Sequence, residues 1–143
     1  IGVHETVRPL ALDDIVEVTE LEMQARAALV DQRGGAAHLA DTPPADWADA
    51  VGRAWVGTID DVVVGYLELD LRGTVAAVRQ VYVHPEAREL GLGDELLAAA
   101  MEAGRAAGCT VLEGTALPGD RDTKNLYERA GVVARKITVS KTL

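Results

Sequence analysis

Between residues 79 and 97 the chain runs RQVYVHPEARELGLGDELL, a β-branched strand, a glycine-spaced turn and the start of an amphipathic helix. A strand delivered into a helix by a short turn is half of a β-α-β unit. It commits the fold to a sheet with at least one crossover connection. The same run suits an anion. The first-turn N–H groups of a helix lack intrahelical partners and point outward, and the macrodipole adds partial positive charge there. Gly91 and Gly93 have no Cβ, so a phosphate can approach the backbone. Arg88 adds a charged donor.

Composition narrows the class. The chain has 143 residues, 48% hydrophobic and 26% charged, which suits one ordered domain spanning 1–143. There is no Phe, so the core must be built from Val, Leu, Ala and Ile. The single cysteine, Cys109, can form no internal disulfide and has no neighbouring ligand set for a metal. No metal site is expected. A net charge of −9 argues against nucleic acid as a partner. That excess lies wholly in residues 1–75, with 5 Lys/Arg against 14 Asp/Glu, whereas residues 76–143 are balanced. An anionic ligand therefore belongs to the second half, and the acidic half can attract a cationic one. No apolar run reaches the length of a membrane span and no secretory leader is read, so a cytoplasmic protein is expected.

Hydrophobic patterning predicts the order β-α-α-β-β-β-α-β-α-β. A strand at Thr6–Arg8 precedes a helix with Leu12, Ile15, Val16, Thr19 and Met23 at helical spacing. Residues 31–45, rich in Gly, Ala and Pro, read as a loop, and Pro44–Val51 as a short helix. Trp55–Ile59 and Val62–Leu71 flank Asp60-Asp61, a hairpin signal, and Gly73-Thr74 leads to a third strand, Val75–Val83. Leu92, Leu96, Leu97, Ala100, Met101 and Gly104 form the stripe of a long helix ending near Gly108. Thr110–Leu112 is a short strand, Asp120–Ala130 a helix closed by Gly131, and Val132–Thr142 an alternating final strand suited to pairing across a homodimer. The fold class is α/β, with a mixed, largely antiparallel sheet flanked by helices.

Three phosphate-binding patterns compete for the turn. A P-loop needs Gly-Lys-Ser/Thr at the helix start, and none is present. A dinucleotide-binding G-x-G-x-x-G starting at Gly91 would have Leu96 as its third glycine. Glu113 has about the spacing of the ribose-binding acid, but an antiparallel meander stands where that fold requires a parallel unit. The third pattern is R-x-x-G-x-G behind a strand ending Val81-Tyr82-Val83-His84-Pro85. With Leu126-Tyr127-Glu128-Arg129-Ala130-Gly131 some thirty residues on, the chain resembles the GNAT superfamily of acetyl-CoA-dependent N-acetyltransferases. Val7-Arg8-Pro9 with Asp13-Asp14, and Asp60–Tyr66, resemble that family's opening strand and second hairpin.

The resemblance implies acetyl-CoA as cosubstrate and an amine, of a small molecule or peptide, as acceptor. It implies that Val81, Tyr82 and Val83 carry the pantetheine arm by backbone pairing. The N–H groups of Glu89, Leu90, Gly91, Leu92, Gly93 and Asp94, with Arg88, would hold the diphosphate. Tyr127 would sit beside the thioester. A coenzyme thiol has a pKa near ~8.5 and a phenol near ~10, so a tyrosine is protonated at neutral pH and can donate to the departing sulfur. Lys124, three residues before Tyr127, can reach a phosphate. Many members carry Asn where this chain has Asp120, which can instead cap the helix.

The base that accepts the amine's proton has no clear candidate. Arg79 and Gln80 occupy the strand position where some members carry Glu. Glu68, Asp70 and Glu113 are alternatives, as is a water relay. His4 and His38 read as surface residues, and Trp47, Trp55 and Tyr66 as core or as acceptor-site wall. A different class stays open beside the enzyme, a non-catalytic acyl-CoA-binding sensor or partner subunit with the same fold.

Overall fold

The computed structural model describes residues 4–143. Five strands form one sheet in the order β1-β2-β3-β4-β5: β1 (Glu5–Pro9), β2 (Ala54–Ile59), β3 (Val62–Arg72), β4 (Val75–Val83) and β5 (Val111–Gly114). The first four pair antiparallel, and β5 joins β4 in parallel after the crossover helix α4 (Leu92–Ala106). Helices α1 (Ile15–Leu29), α2 (Gly35–Asp41) and α3 (Trp47–Ala50) precede β2, and α5 (Arg121–Arg129) follows β5.

Each face of the sheet has its own core. On one, Val18 and Leu21 of α1 and Trp47 of α3 pack on Val56, Val63 and Tyr66. On the other, Leu96, Leu97 and Ala100 of α4 and Leu126 and Tyr127 of α5 pack on Leu67, Leu69 and Val78. Turn chemistry closes the meander. Asp60 and Asp61 have φ of +48° and +67°, the pair of left-handed residues that a two-residue hairpin requires.

Three expectations about the elements are corrected. Val16 and Met23 of α1 are 76% and 66% exposed, and the buried face is Val18, Leu21, Glu22 and Ala25. Hydrophobic spacing misplaced that face because one of its members is a carboxylate. Glu22 is buried by accepting from the Ala45 amide at 3.0 Å and Trp47 Nε1 at 3.1 Å. Within residues 31–45, the segment Gly35–Asp41 is helical rather than loop. Its Ala and Leu residues favour a helix, and a Cβ on Gly35 would overlap the Leu29 carbonyl, which lets the chain fold back tightly on α1. Of the two readings of Trp47 and Tyr66, core holds: both are buried and stack edge-to-face at 5.1 Å between ring centroids.

Residues 133–143 form no strand, and Ile137 and Val139 are 83% and 88% exposed. Alternation makes a strand only where an edge supplies hydrogen bonds, and this segment has none in the structure. After α5 the chain turns at Gly131, φ +80°, and the Val132 amide donates to the Tyr127 carbonyl at 2.9 Å.

The opening strand is tied to α1 by an ion pair. Arg8 Nη1 and Nη2 donate to the two Asp14 oxygens at 2.7 and 2.8 Å, and the Ala11 amide adds a third bond at 2.8 Å. The Arg8 bonds hold the Asp14 pKa below the usual carboxylate range, against the opposing effect of burial. A folded pKa below the unfolded one stabilises the fold fully above the ordinary pKa near ~4, and this is lost as pH falls from there through the lower, folded value. Asp14→Asn is expected to cost about 1–2 kcal/mol at neutral pH in urea unfolding, with the difference from wild type shrinking below about pH 4.

Candidate active site

The site begins where two strands part. β4 pairs with β5 only from Val75–Val111 to Val78–Gly114. β4 then runs on to Val83 with that edge unpaired among the described residues. Opposite, its partner β3 continues in register, but with one irregularity. Gln80 lies across from Glu68 and Val78 across from Leu69, which leaves Arg79 as an extra, bulged residue.

The bulge shifts the phase of β4. The Leu69 amide bonds Arg53 on the β2 side at 2.8 Å, so its partner Val78 turns its backbone toward β5. The His84 amide bonds the Val64 carbonyl at 2.7 Å, which sets Tyr82 and Gln80 toward β3 as well. Val81 and Val83 therefore face their N–H and C=O groups into the open side. Their side chains pack with the α4 and α5 core, while that of Tyr82 packs beside Tyr66 at 5.8 Å.

The far end of the split is the glycine turn. Pro85–Ala87 make one 3-10 turn, with His84 Nδ1 accepting from the Glu86 amide at 3.1 Å. Glu89 and Gly91 then take φ of +70° and +83°, and α4 starts at Leu92. Left-handed residues alternating with ordinary ones turn successive N–H groups into a concavity, the geometry that binds anions. The Leu92 side chain is buried, so only its backbone is available to a ligand. Gly93 lies against Leu126 of α5, where a Cβ would stand at an ordinary contact distance of 3.4 Å.

Charged side chains near the turn already have partners. Arg88 Nε donates to the Val83 carbonyl at 2.9 Å and Nη1 to Asp122 at 2.7 Å, with the guanidinium 5.7 Å from the Tyr82 ring centre. It binds the end of β4 to the start of α5. Lys124 Nζ donates to the Pro118 carbonyl at 2.6 Å, and Asp94 accepts from Arg129 at 3.0 Å. The free donors of the turn are thus backbone amides.

Tyr127 stands at the inner end of the split. It projects from α5, whose N-terminus is capped by Asp120 through bonds to the Thr123 amide and hydroxyl at 3.0 and 2.6 Å. The side chain is 7% exposed, and its hydroxyl lies against Gly114, where a Cβ would overlap it. Gly114 is the last residue of β5 still paired with β4. Burial, and secondarily the charge of Asp120, pushes the phenol pKa up to about 12. The hydroxyl keeps its proton throughout the neutral range.

The carboxylates sort by environment. Asp70 is paired with Arg72 at 2.8 Å. Glu113 is exposed on β5, one residue before Gly114. Glu68 is buried and accepts from Arg53, Arg79 and Gln80 at 3.1, 2.8 and 3.1 Å. His38, expected at the surface, is half-buried, and burial followed by Arg26 and Arg79 lowers its pKa, so it is neutral at pH 7. The Glu68 network and Gly114 are absent from the sequence reading. A buried ion network leaves no periodic signal, and a glycine ending a strand looks like any turn residue.

An open cavity of about 510 Å³ lies on the α1 side, lined by Glu17, Glu20, Val63, His84 and Glu86 among others, and Tyr127 takes no part in it. Among the described residues, no group of three or more His, Cys, Asp or Glu could hold a metal ion, and no helix is long and apolar enough to cross a membrane.

The Acetyltransferase (GNAT) family model matches residues 16–132, from α1 to just beyond α5. The chain belongs to the GNAT family of acetyltransferases. Solved structures share its fold at low identity. The aminoglycoside N-acetyltransferase AAC(6')-Iy in complex with CoA is 19% identical, with 100% of this chain and 97% of that chain covered and a TM-score of 0.70. The yncA protein of Salmonella typhimurium with its cofactor acetyl-CoA is 23% identical over 89% of this chain and 78% of that chain, at a TM-score of 0.68. The BH1408 protein of Bacillus halodurans, a point mutant, is 20% identical over 96% and 99%, at 0.75. No curated protein matches the sequence. The sheet, the crossover helix and the flanking helices are those of a GNAT domain, and membership of this family supports an acyltransferase.

Proposed function

We propose that this GNAT protein transfers the acetyl group of acetyl-CoA to a primary amine of a small molecule or peptide by direct attack. One observation carries the reading. The unpaired edge of β4 turns Val81 and Val83 into a cleft that has an anion-binding turn at one end and a protonated, buried phenol at the other. That order of features matches a ligand with a diphosphate, an amide-bearing arm and a thioester. The pantetheine amides pair with the Val81 backbone and the Val83 N–H, since the Val83 carbonyl is occupied by Arg88. The diphosphate rests on the amides of residues 89–94. Arg88 and Lys124 could reach it only by releasing Asp122 and Pro118.

In the reaction the amine nitrogen forms a bond to the thioester carbon and the C–S bond breaks. An N–H group on the cleft edge polarises the carbonyl. Tyr127 gives its proton to the leaving sulfur, the proton of the attacking nitrogen passes to water, and the tyrosinate takes a proton back from solvent to complete the cycle. A cationic acceptor fits the acidic first half of the chain. One solved relative, AAC(6')-Iy, is named as an aminoglycoside N-acetyltransferase, which makes polyamino sugars the first acceptors to test.

Turnover is tested by thiol release from acetyl-CoA with aminoglycosides, polyamines, amino acids and peptides. Release with at least one amine, and stoichiometric acetyl-amine product, supports the enzyme. The second reading, a coenzyme-binding sensor, is favoured by one feature: Glu68, the carboxylate nearest the bulge, is held by three donors. Coenzyme binding without turnover on the whole panel would favour it. A further expected outcome concerns the turn. Gly91→Val forces a branched residue into φ +83° at the diphosphate cradle. It should raise KM for acetyl-CoA about 10-fold or more in steady-state kinetics, with a smaller change in kcat.

A further inference from the structure

The geometry points to Glu68 as a positioning residue that locks the β4 bulge and so aims the Val81 backbone at the reacting carbonyl. The inference rests on the acetyltransferase reading and adds a residue to it.

The bulge requires two consecutive side chains, Arg79 and Gln80, on one face of the sheet. Both are polar and both reach the same atom. Arg79 Nη1 and Gln80 Nε2 donate to Glu68 Oε1 at 2.8 and 3.1 Å. Arg53, just before β2, donates to Oε2 at 3.1 Å. The outer groups are anchored in turn. Arg79 Nη2 donates to the Pro43 carbonyl at 2.6 Å, and Gln80 Nε2 also donates to Glu22 Oε2 at 2.7 Å. Glu68 is 2% exposed.

Without the bulge, regular alternation would turn Gln80 into the apolar α4 core and put Val81 among the polar groups. The Gln80 and Tyr82 backbones would then face the cleft in place of Val81 and Val83. The carboxylate removes that option by giving both bulge residues a buried, charged acceptor. With three donors on it, two of them guanidinium groups, Glu68 is a clamp and not the base.

The test is Glu68→Gln, with Arg79→Met as a second variant should the first fold poorly. Amide hydrogen exchange at Gln80 and Tyr82, whose N–H groups face β3, should quicken at least about 10-fold in a variant whose remaining exchange is native. kcat should fall about 100-fold, as for a misplacement of roughly 1 Å, with a much smaller rise in KM for acetyl-CoA because the diphosphate cradle is intact and only the pantetheine pairing is loosened. The shape of the pH–rate profile should not change. Wild-type exchange and wild-type kcat in a folded variant would overturn the clamp. Loss of the acidic limb with exchange unchanged would also overturn it and make Glu68 a base. If wild type itself neither binds nor turns over coenzyme, the functional reading fails. Faster exchange at Gln80 and Tyr82 then still supports the clamp, and unchanged exchange removes it.

Discussion

Phenylalanine in place of Tyr127 is expected to lower kcat by about 10²-fold or more while leaving KM for acetyl-CoA nearly unchanged. The hydroxyl is the only atom lost, and the ring's place in the core beside Leu126 is kept, so stability should change little. A group that acts only as the C–S bond breaks contributes to the transition state and not to ground-state binding. The phenol's environment also sets the pH dependence. With a folded pKa pushed up to about 12, the proton-donating form persists well above the ordinary value near ~10, so Tyr127 imposes no loss of rate near pH 10. Between the unfolded value near ~10 and the folded one at about 12, the unfolded chain loses its proton first, so stability falls as pH rises across that window. An absorbance titration of wild type against Tyr127→Phe reports the late tyrosinate directly.

The second large effect is expected at Gly114. An added methyl group would overlap the Tyr127 hydroxyl and ring, and both are backed by the core. The ring cannot yield freely, because α5 is held by its Asp120 cap and by Leu126 against Gly93. Gly114→Ala should therefore displace the phenol from the point where β4 and β5 part. Overpacking of this kind costs about 1–3 kcal/mol, read as a lower midpoint in denaturant. kcat should fall about 100-fold. The decisive control is the double variant with Tyr127→Phe. If Gly114 acts through the hydroxyl, the two losses in kcat will not multiply. Full additivity would show that Gly114 matters for some other reason.

The strand, glycine turn and helix of residues 79–97 were legible because each rests on local chemistry: β-branching, turn glycines and a helical stripe. The three-strand meander was legible for the same reason, down to the Asp60-Asp61 turn. Features that depend on partners were not. Val16 and Met23 match a helical stripe but face solvent, because the α1 surface that packs includes Glu22, whose burial is set by Trp47, Ala45 and Gln80. Ile137 and Val139 alternate as a strand does, yet alternation cannot supply an edge to pair with. The bulge at Arg79 is invisible in one dimension, since only the register against Glu68 and Leu69 reveals an extra residue. The partners of Arg88, Val83 and Asp122, come from distant parts of the chain that its R-x-x-G-x-G motif does not point to.

The central claim is that the parted edge of β4 and the turn behind it form a coenzyme A cradle. A titration of isotope-labelled protein with coenzyme A, followed amide by amide in heteronuclear NMR spectra, tests it without needing an acceptor. The account predicts saturable shifts at Val81, Val83 and the amides of Glu89 to Asp94, with the rest of α1 and the β2–β3 hairpin undisturbed. Saturable shifts confined to the α1-side cavity around Glu17, Glu20 and His84, or no shifts at all, would contradict it.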